Sequence, residues 1–236
     1  MPLVKTLRSY QQSCFRYLFR HLTNGEKEVI LSGPTGCGKS LMATYLVERL
    51  LNTQYFHSAV IIAPQCQIVA AFTHKEDMII LPHQDVTLGY TSVLEGVTVQ
   101  SHHWFQDEID RRERFVSHVT AKQPARRTLI TTHQAVSRWF SEDEKLLPVN
   151  LAGRLLVVDE AHHASSGNGV GTFTQAWLNR GGAVIHMTAT PFRSDEDLII
   201  NNLAPRWTRT LADHIETGEF APSIVRIRSV LRSLPI

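Results

Sequence analysis

The 236-residue chain is 43% apolar and 19% charged, with 24 Lys and Arg against 22 Asp and Glu for a net charge of +2. This balance excludes a disordered or fibrous chain and gives no global basic field, so any nucleic-acid contact must be local. The length is long for one average domain and short for two, but ordinary for an α/β domain with a sizeable core.

Three widely separated cysteines, Cys14, Cys37 and Cys66, form neither a CxxC pair nor a disulfide framework, which predicts a reducing, cytoplasmic setting. Met1 to Leu7 has no apolar core of the signal-peptide kind. No uninterrupted apolar run approaches the roughly 18 residues of a membrane span, so no membrane partner is expected.

In chain order, Phe15, Leu18, Phe19 and Leu22 share one face of a helix, with Ser9 as its expected N-cap and Asn24-Gly25 as its stop. At its start, Leu7-Arg8-Ser9-Tyr10-Gln11 places an amide able to offer both a donor and an acceptor to an adenine edge; an ordinary packed amphipathic helix is the alternative. Val29-Ile30-Leu31-Ser32 reads as a short strand, followed by Gly33-Pro34-Thr35-Gly36-Cys37-Gly38-Lys39-Ser40 and a helical run from Leu41 to Leu51. That octet matches GxxxxGK[ST] in the strand-to-helix setting the pattern requires. Its glycines free the backbone to turn amides onto a polyphosphate, and the helix start adds its dipole. Lys39 would neutralise the outer phosphates and the Ser40 hydroxyl would hold Mg²⁺.

Ala59 to Ala63 is an apolar run of the kind expected of a strand covered on both faces, ended by Pro64-Gln65 and followed by a helix over Ile68 to His74. Residues 77–127 are less regular. A strand at Met78 to Leu81, a hairpin around Leu94 to Val97 and a charged helix from about Trp104 to Val119 are expected, the last with an arginine-rich side that suits either solvent or a phosphodiester backbone. Thr128 to Thr132 is a strand ending in two hydroxyls, with a helix from His133 to Phe140 after it. Leu155 to Val158 is a strand that delivers Asp159 and Glu160. Gly167 to Gly171 reads as a flexible connection, and Ala183 to Met187 as a strand ending in Thr188-Ala189-Thr190-Pro191. A helix from Leu211, capped by Gly218 and stopped by Pro222, and a strand from Ser223 to Leu231 complete the reading. Strands alternating with helices predict a mostly parallel sheet with helices on both faces, its polar motifs gathered along one edge.

At that edge Asp159 is placed to bind Mg²⁺ together with Ser40, and Glu160 to orient the water that attacks a γ-phosphate. Thr188 and Thr190 stand where they can hydrogen-bond to the acidic pair; a bland threonine-rich strand end is the alternative. His162-His163 and His102-His103 make poor metal sites, because neighbouring side chains diverge and no Cys or His stands at ligand spacing.

Gly33 to Ser40, Asp159-Glu160-Ala161-His162 and Thr188-Ala189-Thr190, in that order, resemble motifs I, II and III of superfamily 2 helicases and translocases. Leu155 to Ser165 and Thr188 to Arg193 look most like the DEAH-type motor of type I and type III restriction enzymes and related DNA translocases. The resemblance implies a RecA-like P-loop NTPase fold that hydrolyses ATP with Mg²⁺. It implies nucleotide contacts from Arg8 and Gln11 and from Gly33 to Leu41, namely Gly33, Pro34, Thr35, Gly36, Cys37, Gly38, Lys39, Ser40 and Leu41. Lys39 and Glu160 would be catalytic, and Ser40 and Asp159 would hold the metal. His162, Thr188 and Thr190 would couple ATP state to nucleic-acid grip, with strand contacts from Pro64, Gln65, Thr131, Thr132 and Gln134.

The family motor has two RecA-like lobes with ATP between them, and the second supplies arginine fingers. The resemblance therefore implies one lobe over 1–222, with 77–127 as a family-specific insertion and 223–236 as the start of a connection to a second lobe supplied in cis or in trans. An arginine finger is worth roughly 10³–10⁵ in rate, so the chain by itself is expected to turn over ATP slowly. DNA is expected rather than RNA. The alternatives are a half-motor serving as a nucleotide-sensing or partner-binding module, an RNA helicase lobe, and a phosphate-loop ATPase outside the helicases, against which Thr188-Ala189-Thr190 argues.

Overall fold

A computed structural model describes residues 3–65, 78–83, 97–98, 108–124, 127–164, 168–189 and 203–218. The described elements are β1 (Val4–Thr6), α1 (Ser9–Thr23), β2 (Glu28–Ser32), α2 (Lys39–Asn52), β3 (Ser58–Ala63), β4 (Ile79–Leu81), β5 (Val97–Thr98), α3 (Glu108–Thr120), β6 (Thr128–Thr132), α4 (His133–Glu142), β7 (Arg154–Val158), α5 (Gly169–Asn179), β8 (Ala183–Thr188), β9 (Arg206–Thr208) and α6 (Leu211–Glu216). The expected helix over Ile68 to His74, the strand over Ser223 to Leu231 and residue Thr190 lie outside the described residues.

Apolar runs without polar alternation become interior strands because both of their faces are covered. Six strands form one sheet in the order β6-β3-β7-β8-β2-β9, every neighbouring pair parallel. Successive side chains in a strand point to opposite faces, and two cores follow from that. Val29, Leu31, Ala59, Ile61, Leu155, Val157, Ile185 and Met187 pack with Phe15, Leu18, Tyr45 and Leu46 of α1 and α2. Ile30, Val60, Ile62, Leu156, Val158 and Val184 pack with Phe115, Val136, Trp139, Phe173 and Trp177 of α3, α4 and α5. Helices thus cover both faces of a parallel sheet, the expected α/β architecture. A second sheet, β1-β4-β5, has a parallel and an antiparallel pair.

Two local expectations are corrected. The helix cap of α1 is Arg8, not Ser9, because the Gln11 side-chain oxygen returns to accept from the Arg8 N–H at 2.9 Å. Gly169 to Gly171 is the first turn of α5 and not a connection. The Asn168 carboxamide caps it by accepting from the Gly171 N–H at 2.9 Å, and Val170, Phe173 and Trp177 bury its inner face. Burial of three such side chains outweighs the roughly 1 kcal/mol that each glycine costs a helix.

At the end of the sheet away from the motif loops, Arg154 is buried where β7 begins. Its guanidinium donates to Ser58 Oγ at 2.9 Å, to the His118 carbonyl at 3.4 Å and to the Ala121 carbonyl at 2.7 Å, tying the last turn of α3 to the sheet. Desolvation pushes its pKa down. Among the described residues no helix is long and apolar enough to cross a membrane.

Candidate nucleotide and coupling site

The phosphate loop leaves the C-terminal end of β2 and enters α2. Gly38 is the N-cap of α2, with φ +85° and ψ 28°, and Gly36 also has φ +85°. The positive φ favours glycine at 38, and a Cβ there would also lie 2.5 Å from Gln11 Nε2 and push that side chain aside. The Lys39 ammonium is buried and donates to the carbonyls of Gly33 at 2.9 Å and Pro34 at 3.3 Å, which holds the cation inside the loop. The first turn of α2 carries no acidic residue and no side-chain cap. Its opening amides have no intrahelical acceptor, and an anion suits them. These features fit a polyphosphate. Ser40 and Asp159 together offer an all-oxygen donor set, the kind that suits Mg²⁺.

The start of α1 is bonded onto this loop. Tyr10 Oη donates to the Cys37 carbonyl at 2.7 Å, and Gln11 Nε2 donates to the same oxygen at 3.3 Å. Gln11 therefore spans from its own helix cap to the phosphate loop, while Arg8 beside it is exposed. The Cys37 thiol is buried; burial pushes its pKa up, and the Lys39 charge partly offsets this.

β8 lies between β2 and β7, so the acidic pair and the phosphate loop are separated by one strand. Asp159 is buried, with its N–H bonded to the Ile62 carbonyl at 2.9 Å and its Oδ1 accepting from the Glu160 N–H at 3.0 Å. Glu160 takes a left-handed conformation, φ 47° and ψ 50°, which a residue with a Cβ adopts at a cost of about 1–2 kcal/mol. That turn starts a 3₁₀ segment, Ala161–His163, which brings His162 back toward the carboxylate. His162 Nδ1 lies 3.2 Å from Glu160 Oε2 and 3.3 Å from Thr188 Oγ1. The same Thr188 accepts from the Gly33 N–H through its carbonyl at 3.1 Å. One residue at the end of β8 is therefore bonded to the phosphate loop by its backbone and to the acidic segment by its side chain.

The remaining candidates gather on the neighbouring strand ends. Ala63 pairs with Thr132 in register, which sets Pro64-Gln65 beside Thr132-His133-Gln134. Gln65 and Gln134 are exposed, whereas Thr131 and Thr132 are buried. Thr132 Oγ1 caps α4 by accepting from the Ala135 N–H at 3.2 Å. Sequence reasoning missed Tyr10, Trp207 and Arg209. The Arg209 guanidinium sits 4.3 Å over the Tyr10 ring, and the Trp207 ring stacks 6.5 Å from it at 15°. Tyr10 alternates out of any simple motif, and β9 is too short for periodicity to reveal.

A RecA-like phosphate-loop domain is the class that this sheet order and loop define. The sequence from 4 to 193 matches the family described as type III restriction enzyme, res subunit, and the chain belongs to that family, within helicase superfamily 2. No curated protein sequence matches it.

Solved structures with the same fold include the Pyrococcus furiosus Hef helicase domain, at 19% identity and TM-score 0.59, covering 93% of this chain and 40% of that one. The Sulfolobus solfataricus SWI2/SNF2 ATPase core in complex with dsDNA matches at 16% identity and TM-score 0.53, covering 82% and 35%. A nuclease-deletion mutant of the type ISP restriction-modification enzyme LlaGI in complex with a DNA substrate mimic matches at 15% identity and TM-score 0.58, covering 90% and 18%. The chain thus spans less than half the length of each.

Proposed function

We propose that this chain is the ATP-binding lobe of a DEAH-type, nucleic-acid-dependent ATPase, a helicase or translocase, that hydrolyses ATP with Mg²⁺ when completed by a second RecA-like lobe. The observation that carries the reading is Thr188, bonded at once to Gly33 of the phosphate loop and to His162 of the acidic segment. A link of that kind is what a motor needs to pass the state of its phosphate site to another surface.

In this reading Gly33 to Leu41 cradle the phosphates, with Lys39 neutralising charge on them, and Arg8 and Gln11 meet the adenine. Mg²⁺, held by Ser40 and Asp159, would neutralise charge developing on the transferred phosphate. Glu160 orients water for attack, and His162 fixes the direction of its carboxylate. Pro64, Gln65 and Gln134 face the nucleic acid, the buried Thr131 and Thr132 shape the strand end and helix cap behind them, and Thr190 joins Thr188 in coupling. DNA is favoured over RNA because two of the similar structures hold DNA or a DNA mimic. Lengths of the similar structures support a second lobe, since each extends well beyond the matched region.

Filter binding of labelled duplex DNA, single-stranded DNA and RNA to the motor with both lobes, with and without MgATP, tests this reading. Nucleotide-dependent binding of DNA above RNA is expected. Preference for RNA would overturn the choice of polymer, and binding indifferent to nucleotide would overturn the motor.

A further inference from the structure

From Lys5 to Gly25 the sequence carries Lys5, Arg8, Arg16 and Arg20 and no Asp or Glu, so all 22 acidic residues of a nearly neutral chain fall outside this stretch. α1 concentrates the imbalance on one surface. Its apolar side, with Cys14, Phe15, Leu18 and Leu22, is buried in the core shared with α2 and the sheet. Ser9, Ser13, Arg16 and Arg20 recur at helical spacing, form the opposite stripe and are all exposed. At 1.5 Å per residue the stripe is about 16 Å long, with its two arginines about 6 Å apart along the axis.

Among the described residues neither Arg16 nor Arg20 makes an ion pair or a side-chain hydrogen bond. They stand one turn apart, where like charges repel, and no carboxylate on α1 offsets them. One carboxylate lies beside the first turn of the stripe: Asp213, which lines a cavity with Ser9 and Ser13. It is engaged elsewhere, accepting from the Thr210 N–H at 2.6 Å in the capping box of α6. A helix that lies on a membrane turns an apolar face to the lipid, and α1 has buried its own in the core. Arginines interleaved with serine hydroxyls suit phosphodiester oxygens, which such side chains contact without reading sequence.

We infer that the outer stripe of α1 is a second nucleic-acid contact surface, which seats the phosphodiester backbone of duplex DNA through Arg16 and Arg20. Its length spans about five rises of 3.4 Å along one strand, so the two arginines reach different phosphates of one backbone. The surface lies apart from the proposed strand contacts. α1 packs over β2 and β9, whereas Pro64, Gln65 and Gln134 follow β3 and β6 at the opposite edge of the sheet. The inference takes from the proposed function only that the ligand is a nucleic acid, and it adds a sequence-independent grip on a separate stretch of it.

The test uses the whole 236-residue chain and labelled duplexes of unrelated sequence, titrated over a range of salt concentrations. Wild type is compared with Arg16→Ala/Arg20→Ala, with the charge-keeping Arg16→Lys/Arg20→Lys, and with Lys122→Ala/Lys145→Ala. The last pair removes two exposed lysines just after α3 and α4, which cover the other face of the sheet. The arginine-to-alanine variant is expected to lower the slope of log affinity against log salt by about two, since each arginine–phosphate contact contributes roughly one, and to weaken all duplexes alike. The other two variants should keep the wild-type slope, and all should keep the wild-type melting temperature and MgATP affinity. An unchanged slope in the alanine variant, or an equal drop in the lysine control, would overturn the inference. Loss of binding to phosphatidylserine vesicles with DNA binding retained would assign the stripe to a membrane and overturn it too. Wild-type chain that binds MgATP but no duplex would overturn the inference and leave the nucleotide site standing.

Discussion

His162 Nδ1 stands 3.2 Å from the Glu160 carboxylate and 3.3 Å from the Thr188 hydroxyl, so a single ring nitrogen joins the acidic segment to the end of β8. With Glu160 ionised, the tautomer that satisfies both distances carries its proton on Nδ1, shared between the two oxygens. The shared proton makes the two contacts competitive.

Replacing His162 by Ala is therefore expected to uncouple the motor without emptying its nucleotide site. MgATP affinity should stay within about twofold, because His162 holds no phosphate, while stimulation of turnover by DNA in the motor with both lobes should fall by at least about tenfold, a loss of roughly 1.4 kcal/mol in coupling. Parallel titrations and steady-state assays check this.

Gly38→Ala is expected to abolish nucleotide binding. The new Cβ meets Gln11 Nε2 at 2.5 Å, and φ of +85° strains any residue but glycine. The backbone cost alone is about 1–2 kcal/mol, so the melting temperature should drop together with MgATP affinity. Calorimetric titration beside a thermal melt measures both.

Arg154→Ala separates stability from the site. It strips the buried carbonyl of His118 and the half-buried carbonyl of Ala121 of a charged donor at the far end of the sheet. A loss of about 3 kcal/mol is expected, and for a domain of this size each kcal/mol moves Tm by roughly 2–4 °C. Nucleotide affinity measured well below Tm should not change.

Stability should decline in alkali. Burial pushes the Cys14 and Cys37 thiols and the Tyr45 phenol above their ordinary values. A folded pKa above the unfolded one means that the native state binds more protons between the two, so the stabilisation is complete below the thiol's ordinary value of about 9 and is lost as pH rises past it. Denaturant midpoints should be flat through neutral pH and fall above that value. Cys14→Ala should flatten part of the fall.

The phosphate loop and the acidic pair were legible because each is a contiguous run whose residue types leave little choice of chemistry. Gly38 could be placed from the pattern alone, but its φ of +85° and the Gln11 side chain that packs against it from α1 are facts of the folded structure. The interior strands were equally clear, since Val60, Ile62, Leu156 and Val158 belong to unbroken apolar runs. β1 and β9 are three residues each, too short for a period of two to declare itself. Gly169 and Gly171 misled because propensity argued for a linker, while the Asn168 cap and the burial of Phe173 and Trp177 decided for a helix. Tyr10 and Arg209 meet across most of the chain, and no local pattern announces such a contact.

The most direct measurement is single-turnover hydrolysis of MgATP by the wild-type chain beside Glu160→Gln, with binding of MgATP measured for both. The substitution keeps the shape of the side chain and removes the charge proposed to orient water. The predicted result is matched affinity, slow hydrolysis by the wild type, and a further loss on the order of 10² or more in the variant. Hydrolysis at the same rate in both proteins would contradict the role assigned to Glu160 and the ATPase reading built on it.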